Sequence, residues 1–257
     1  AIASGNTIGV GSHFYPTGLG NATGSGNYRG ILGFAPAGSS GPQLSIGLDS
    51  TGLLYLTKGN TTDTQVATSG TNLMSISQSY HIEMKTFFSS TVGTLELRVN
   101  GSTWLTYTGN TLPASSTTLA LCLLGNPAGA TTAAGQYFDD LYIWDGTGTV
   151  NNDWLGERNI YTLLPSADTA EADWALSTGS TGYTLINGIP TVDTTYITSS
   201  TADDVSSFDI DDVASTNINI VGAQVMYRAT KTGTDAATIA VGLNDNVGAD
   251  QGLVHTT

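Results

Sequence analysis

Asp139 and Asp140 stand side by side in the run QYFDDLYIW at 136–144, and paired carboxylates are the groups that hydrolyse glycosidic bonds. That chemistry needs both acids facing the sugar, commonly as Glu-x-Asp-x-Glu along one strand, and the sequence contains no such run. Neighbouring strand residues point to opposite faces, so Asp139 and Asp140 do not form the pair directly. The plainer expectation is that one of them bonds to nearby backbone at the rim of a sheet. The acidic run DDVSSFDIDD at 203–212 has enough oxygens for a divalent cation. It lacks the spaced acids, central Gly and terminal Glu of an EF-hand loop, and reads as a solvated acidic loop. His13, His81 and His255 are scattered, so a zinc site would have to be assembled from distant strands. No Gly-x-Ser-x-Gly elbow, dinucleotide fingerprint or phosphate loop occurs despite the many glycines. Trp104, Tyr107, Tyr142 and Trp144 offer rings that could stack on the C–H faces of sugars, and packing is their plainer use. No catalytic, cofactor-binding or metal-ligating residue is assigned, and the expectation is a protein that is not an enzyme.

The elements that would carry these residues are strands. Thr, Ser, Gly and β-branched residues fill positions where helices would use Ala, Leu, Glu, Lys and Arg, and only 11% of the chain is charged. Residues 1–27 are rich in Gly, Ser, Thr and Asn and are expected to be an N-terminal arm or edge strand. Short apolar runs bounded by turn residues then follow at 28–34, 43–48, 53–57 and 64–68. In YHIEMKTFF at 80–88, Tyr80, Ile82, Met84 and Thr86 share one face, while His81, Glu83 and Lys85 share the other. GTLELRV at 93–99 repeats the alternation, so Glu and Lys on one strand can pair with Glu and Arg on the next. Asn100-Gly101 before STWLTY at 102–107 predicts a type I′ hairpin. Strands at 117–124 and 136–144 complete this sandwich, and Cys122, the single cysteine, reads as a small core residue.

Charge divides the chain. Residues 1–150 hold 7 acids and 4 bases, whereas 151–257 hold 14 acids and 3 bases, and the turn-rich stretch DGTGTVNN at 145–152 lies between. The expected organisation is an arm at 1–27, a sandwich at 28–150 and an acidic second β domain at 151–257. In the second domain strands are expected at 158–164, 182–186, 194–199, 208–213, 218–229 and 237–243, and whether that domain is complete stays open. A formal charge of −14 repels phosphate backbones and anionic lipid, so nucleic acid is not an expected partner. No run approaches the roughly 18 apolar residues of a membrane span, and the first residues lack the pattern of a signal peptide. Asn21, Asn60 and Asn100 lie in Asn-x-Ser/Thr triplets, which would carry no meaning were the protein made in bacteria.

The order YHIEMKTFF, GTLELRVNG, a strand with Trp104, then YFDDLYIWD resembles the concanavalin A-like (laminin G-like) domains of many phage and bacterial surface proteins, over roughly 28–148. The stretch YFDDLYIWDGTGTVNNDWLGERNIYTLLPSADTAEADW at 137–174 is similar to virion proteins of tailed bacteriophages, and TTYITSST at 194–201 fits the same family. What the resemblance implies is an all-β chain. A concanavalin A-like jelly-roll sandwich is followed by a second antiparallel β-sandwich, in a structural subunit of the virion surface: a decoration, fibre or tail appendage. Its implied partners are copies of itself and other virion proteins, and host surface glycan if it is an adhesin; a polysaccharide depolymerase is the weaker alternative. Laminin G-like domains often hold calcium at the rim, which makes Asp139 and Asp140 the calcium candidates by resemblance. A fold of this kind hosts receptors, lectins, enzymes and spacers alike, so the resemblance does not itself specify an activity.

Overall fold

A strand with one apolar face must bury that face, and the first part of the chain does so by laying two antiparallel sheets together. The computed structural model describes residues 2–3, 6–20, 28–36, 42–59, 63–112, 118–125, 135–213, 219–234, 238–244 and 250–256. One compact unit runs from Ala1 to Ile160 and a second from Tyr161 to Thr257. The first unit holds β1 (Ile2–Ala3), β2 (Thr7–Pro16), β3 (Arg29–Pro36), β4 (Leu44–Leu48), β5 (Leu53–Lys58), β6 (Thr64–Leu73), β7 (Tyr80–Phe87), β8 (Gly93–Val99), β9 (Ser102–Gly109), β10 (Thr118–Leu124) and β11 (Gln136–Asp145). Six of them form a sheet in the order β1-β10-β3-β4-β5-β6, and five form another in the order β11-β2-β7-β8-β9. The core lies between the sheets, where Val10, Phe14, Ile82, Met84 and Leu97 meet Leu32, Phe34, Ile46 and Leu56. The protein is an all-β sandwich.

Nine of the strands fall where alternation and turn residues place them. The Asn100-Gly101 hairpin forms as expected, with both residues at positive φ (49° and 76°) and Val99 opposite Ser102. Cys122 is partly buried against the core, and burial raises its thiol to about 11.

Residues 1–27 depart from expectation. Instead of an arm or edge strand, the described residues 7–16 form β2, an interior strand paired with β11 on one side and β7 on the other. The glycines that dilute its apolar pattern have a packing cause. A Cβ on Gly9 would overlap the Trp144 ring, and one on Gly11 would overlap the Tyr142 ring, because these two aromatics lie across β2 from β11. The sandwich therefore begins well before residue 28. The first unit also extends to Ile160 instead of ending at 150–153, because residues 153–160 bond back onto the five-stranded sheet.

In the second unit the described residues pair two by two. β12 (Pro165–Ala172) joins β15 (Ser206–Ile210), β13 (Ala175–Leu176) joins β14 (Ile197–Thr198), and β16 (Thr238–Asn244) joins β17 (Asp250–Thr256), all antiparallel. The segment expected as a strand at 182–186 is instead the single helical turn α1 (Tyr183–Ile186). Asp168 explains it by accepting the N–H groups of Gly182 at 2.8 Å and Tyr183 at 2.6 Å, which fixes a turn at that point. No strand forms at 158–164 or in the described part of 218–229. Ile220 and Met226 there are 69% and 88% exposed, so the alternation supplies an apolar face without a sheet to receive it.

Gly11→Ala should cost about 1–3 kcal/mol of stability through overpacking against Tyr142. Urea unfolding of the full chain checks it, with Gly222→Ala, an exposed glycine without positive φ and with open space around its Cβ, as the control for the loss of glycine's backbone freedom.

Candidate functional site

The polar face of the five-stranded sheet gathers most of the side chains of the first unit that could do chemistry. Alternation turns Gly9, Gly11, His13 and Tyr15 of β2 outward, away from Val10 and Phe14, and turns His81, Glu83 and Lys85 of β7 to the same side. The register sets His13 opposite His81, Glu83 opposite Arg98 and Lys85 opposite Glu96, and Tyr137 opposite Tyr15.

The expected cross-strand ion pairs do not form, because residues 153–160 cross this face and take the charges. Lys85 Nζ bonds Asp153 at 2.6 Å. Arg98 stacks on the Trp154 ring with its guanidinium carbon 3.9 Å from the centroid, and its Nε bonds Glu96 of its own strand at 2.8 Å. Hydrogen bonds from Thr103 and Arg98 hold the Glu96 carboxyl below its usual range against the opposing effect of its burial. Glu83, 2% exposed, accepts the backbone N–H of Leu155 at 2.8 Å and that of Gly156 at 3.3 Å. Tyr142 donates its hydroxyl proton to the Gly156 carbonyl at 2.6 Å. His81 Nε2 lies 3.0 Å from the same hydroxyl and so carries the proton that this oxygen accepts. Burial holds the His81 pKa below the ordinary value and pushes the Tyr142 phenol far above its own.

His13 closes the far end of this strap. Its Nδ1 is 2.9 Å from Asp140 and its Nε2 3.0 Å from Glu157. Burial works against charging the ring, but hydrogen bonds to and attraction by the two carboxylates outweigh it, and the His13 pKa is raised. Asp140 reaches His13 through a bulge in β11 between Asp139 and Tyr142, where Asp140 takes φ +53°. The bulge lifts the opposite-face rule that a regular strand would impose on the two aspartates. Asp140 is nonetheless committed, because its other oxygen accepts the Ile160 N–H at 2.6 Å, while Asp139 Oδ1 accepts the Asp140 N–H at 2.9 Å. The expected bonding of these acids to nearby backbone is what the structure has.

The other candidates sort by packing. Trp144 is 5% exposed, Trp104 and Tyr107 are partly buried against the core, and Tyr142 is locked by His81 and Gly156, so these four rings pack. In the acidic run, Asp204 bonds Ser199 at 2.5 Å and Ser206–Ile210 form β15. Among the described residues, no group of three or more His, Cys, Asp or Glu side chains is placed to hold a metal ion. Asn21 and Asn60 lie outside the described residues. The His13–His81 juxtaposition is what sequence reasoning missed, and the period-two spacing of Ile8, Val10, Ser12 and Phe14 is the signal that could have found it.

Two outcomes follow. Glu83→Ala leaves the Leu155 and Gly156 N–H groups without their acceptor. It should cost about 1–3 kcal/mol and raise amide exchange at 155–156, measured by mass spectrometry. For His13 the folded-state pKa is raised, so its stabilising effect is complete below about pH 6.5 and disappears as pH rises through the folded value. The difference in urea midpoint between the wild type and His13→Gln should accordingly be largest in mild acid and shrink above neutrality.

No family model matches the chain, and no curated protein matches it. Among solved structures it is similar to the crystal structure of the botulinum neurotoxin serotype C1 binding domain, at 13% identity and a TM-score of 0.35. The likeness covers 55% of this chain and 34% of that one.

Proposed function

We propose that the chain is a non-enzymatic structural subunit of a bacteriophage virion, a surface decoration, fibre or tail appendage built on a concanavalin A-like jelly-roll sandwich. The observation that carries a structural role over a catalytic one is the strap. Glu83, His81, Tyr142, Asp140 and His13 are bonded to the chain's own residues, so they hold backbone in place instead of standing ready as an acid and a base. The likeness of residues 137–174 to virion proteins supports the placement on a particle. The Ser, Thr and Gly content with 11% charge suits lateral contacts between copies and with other virion proteins. A depolymerase is the weakest alternative, since Asp140 is spent on His13 and Ile160.

A second reading, a host-glycan-binding adhesin, is favoured by one observation: Tyr15 and Tyr137 stand exposed on the same sheet face, at the end beyond the strap.

Sedimentation velocity of the full chain, with calcium and with chelator, tests the structural reading. The expected result is one defined oligomer indifferent to calcium. A calcium-dependent monomer, or release of reducing sugar from bacterial capsular polysaccharide, overturns it.

A further inference from the structure

The outer face of the five-stranded sheet is covered at one end and open at the other. Towards Trp144 its aromatic rings are packed or bonded. Towards Gln136 the last outward row runs Tyr137, Tyr15, Ser79, with Asp139 and His13 in the next row. These residues, with Phe14 and Phe138, line an open hollow of about 270 Å³. Tyr137 is 64% exposed and Tyr15 36%. Their rings lie 6.2 Å apart and tilted by 55°, and among the described residues neither hydroxyl has a protein partner. Asp139 uses Oδ1 on the Asp140 N–H and keeps Oδ2 without a partner among the described residues. Both nitrogens of His13 are engaged, so it contributes a fixed wall.

We propose that this hollow is a binding subsite for one neutral pyranose ring of a glycan. The inference rests on the adhesin reading and gives it a location. The volume lies just under the ~300–1,000 Å³ of pockets for drug-sized ligands, which leaves room for a single ring. Exposed aromatic faces suit the C–H surface of a sugar. The free carboxylate oxygen of Asp139, the Ser79 hydroxyl and the two phenols stand around those faces and match the hydroxyl groups on a sugar's edge. No Lys or Arg lines the hollow to hold a carboxylate, and Asp139 in its lining repels uronic and sialic acids, which selects neutral sugars. An alkylammonium group would gain from the rings and from Asp139. Two rings at this tilt nevertheless leave most of it uncovered, and the hydroxyl donors would have nothing to bond.

The test is saturation-transfer NMR on the full chain with glucose, galactose, mannose and N-acetylglucosamine, and with N-acetylneuraminic acid and choline as contrasts. At least one neutral sugar should receive saturation. Tyr137→Ala should weaken that binding at least about tenfold, as expected for the loss of a stacked ring, and Asp139→Asn should weaken it too. Tyr137→Phe should retain most of it, and unchanged thermal unfolding of the variants shows that the fold is kept. Neutral-sugar binding that survives both Tyr137→Ala and Asp139→Asn overturns this site and leaves the adhesin reading standing. Saturation of choline or N-acetylneuraminic acid alone overturns the ligand class. No saturation of any probe overturns the site and the adhesin reading together.

Discussion

A carboxylate withdrawn from water must find hydrogen-bond donors, and Glu83, 2% exposed, finds them in the backbone of Leu155 and Gly156. The arrangement of the polar face follows from that requirement. With the backbone held at this point, the Gly156 carbonyl lies where Tyr142 can donate to it, and Tyr142 in turn fixes the proton on His81. Asp153 and Trp154 on one side, and Glu157 on the other, come within reach of Lys85, Arg98 and His13. For Tyr142 and Trp144 to lie flat over β2, that strand must present glycine at positions 9 and 11. A buried acid on β7, two missing side chains on β2 and an irregular segment after β11 thus form one interdependent set.

The strands from β3 to β11 were legible in the sequence because each is a short apolar or alternating run closed by turn residues. The hairpin at Asn100-Gly101 was legible because only a few residue pairs accept positive φ twice in succession. β2 was not, since Gly9 and Gly11 read as flexibility when taken alone. Their cause is a pair of aromatic rings more than 130 residues away in sequence, which no local pattern records. The bonding of Asp139 and Asp140 to backbone was anticipated, but the bulge that turns Asp140 towards His13 was not, because a one-residue irregularity leaves the apolar period on either side intact. The ion pairs proposed between β7 and β8 had the right register and the wrong partners. Sequence spacing says which residues stand opposite each other and nothing about a later segment that competes for them.

The second unit marks the limit of periodicity as a guide. Residues 218–229 alternate well enough to suggest a core strand, yet their described part forms none, and among the described residues β12 to β17 join as two-stranded ribbons. Such ribbons are marginal alone in water, and Ile189, Val192, Tyr196 and Ile210 remain 45–69% exposed. The sandwich differs in kind: its strands close around a shared core, so each apolar face there is satisfied by another.

The strap also decides how the sandwich meets a pull. Tension applied to the chain beyond Ile160 does not arrive first at the end of β11, where it would peel an edge strand bond by bond. It meets the strap, which is anchored to β2, β7, β8 and β11 through His13, Glu83, Lys85, Arg98, Asp140 and Tyr142, so four neighbouring strands hold the segment ahead of β11. These anchors have to be released before the edge strand β11 can be peeled from its sheet by a pull on the chain that follows it.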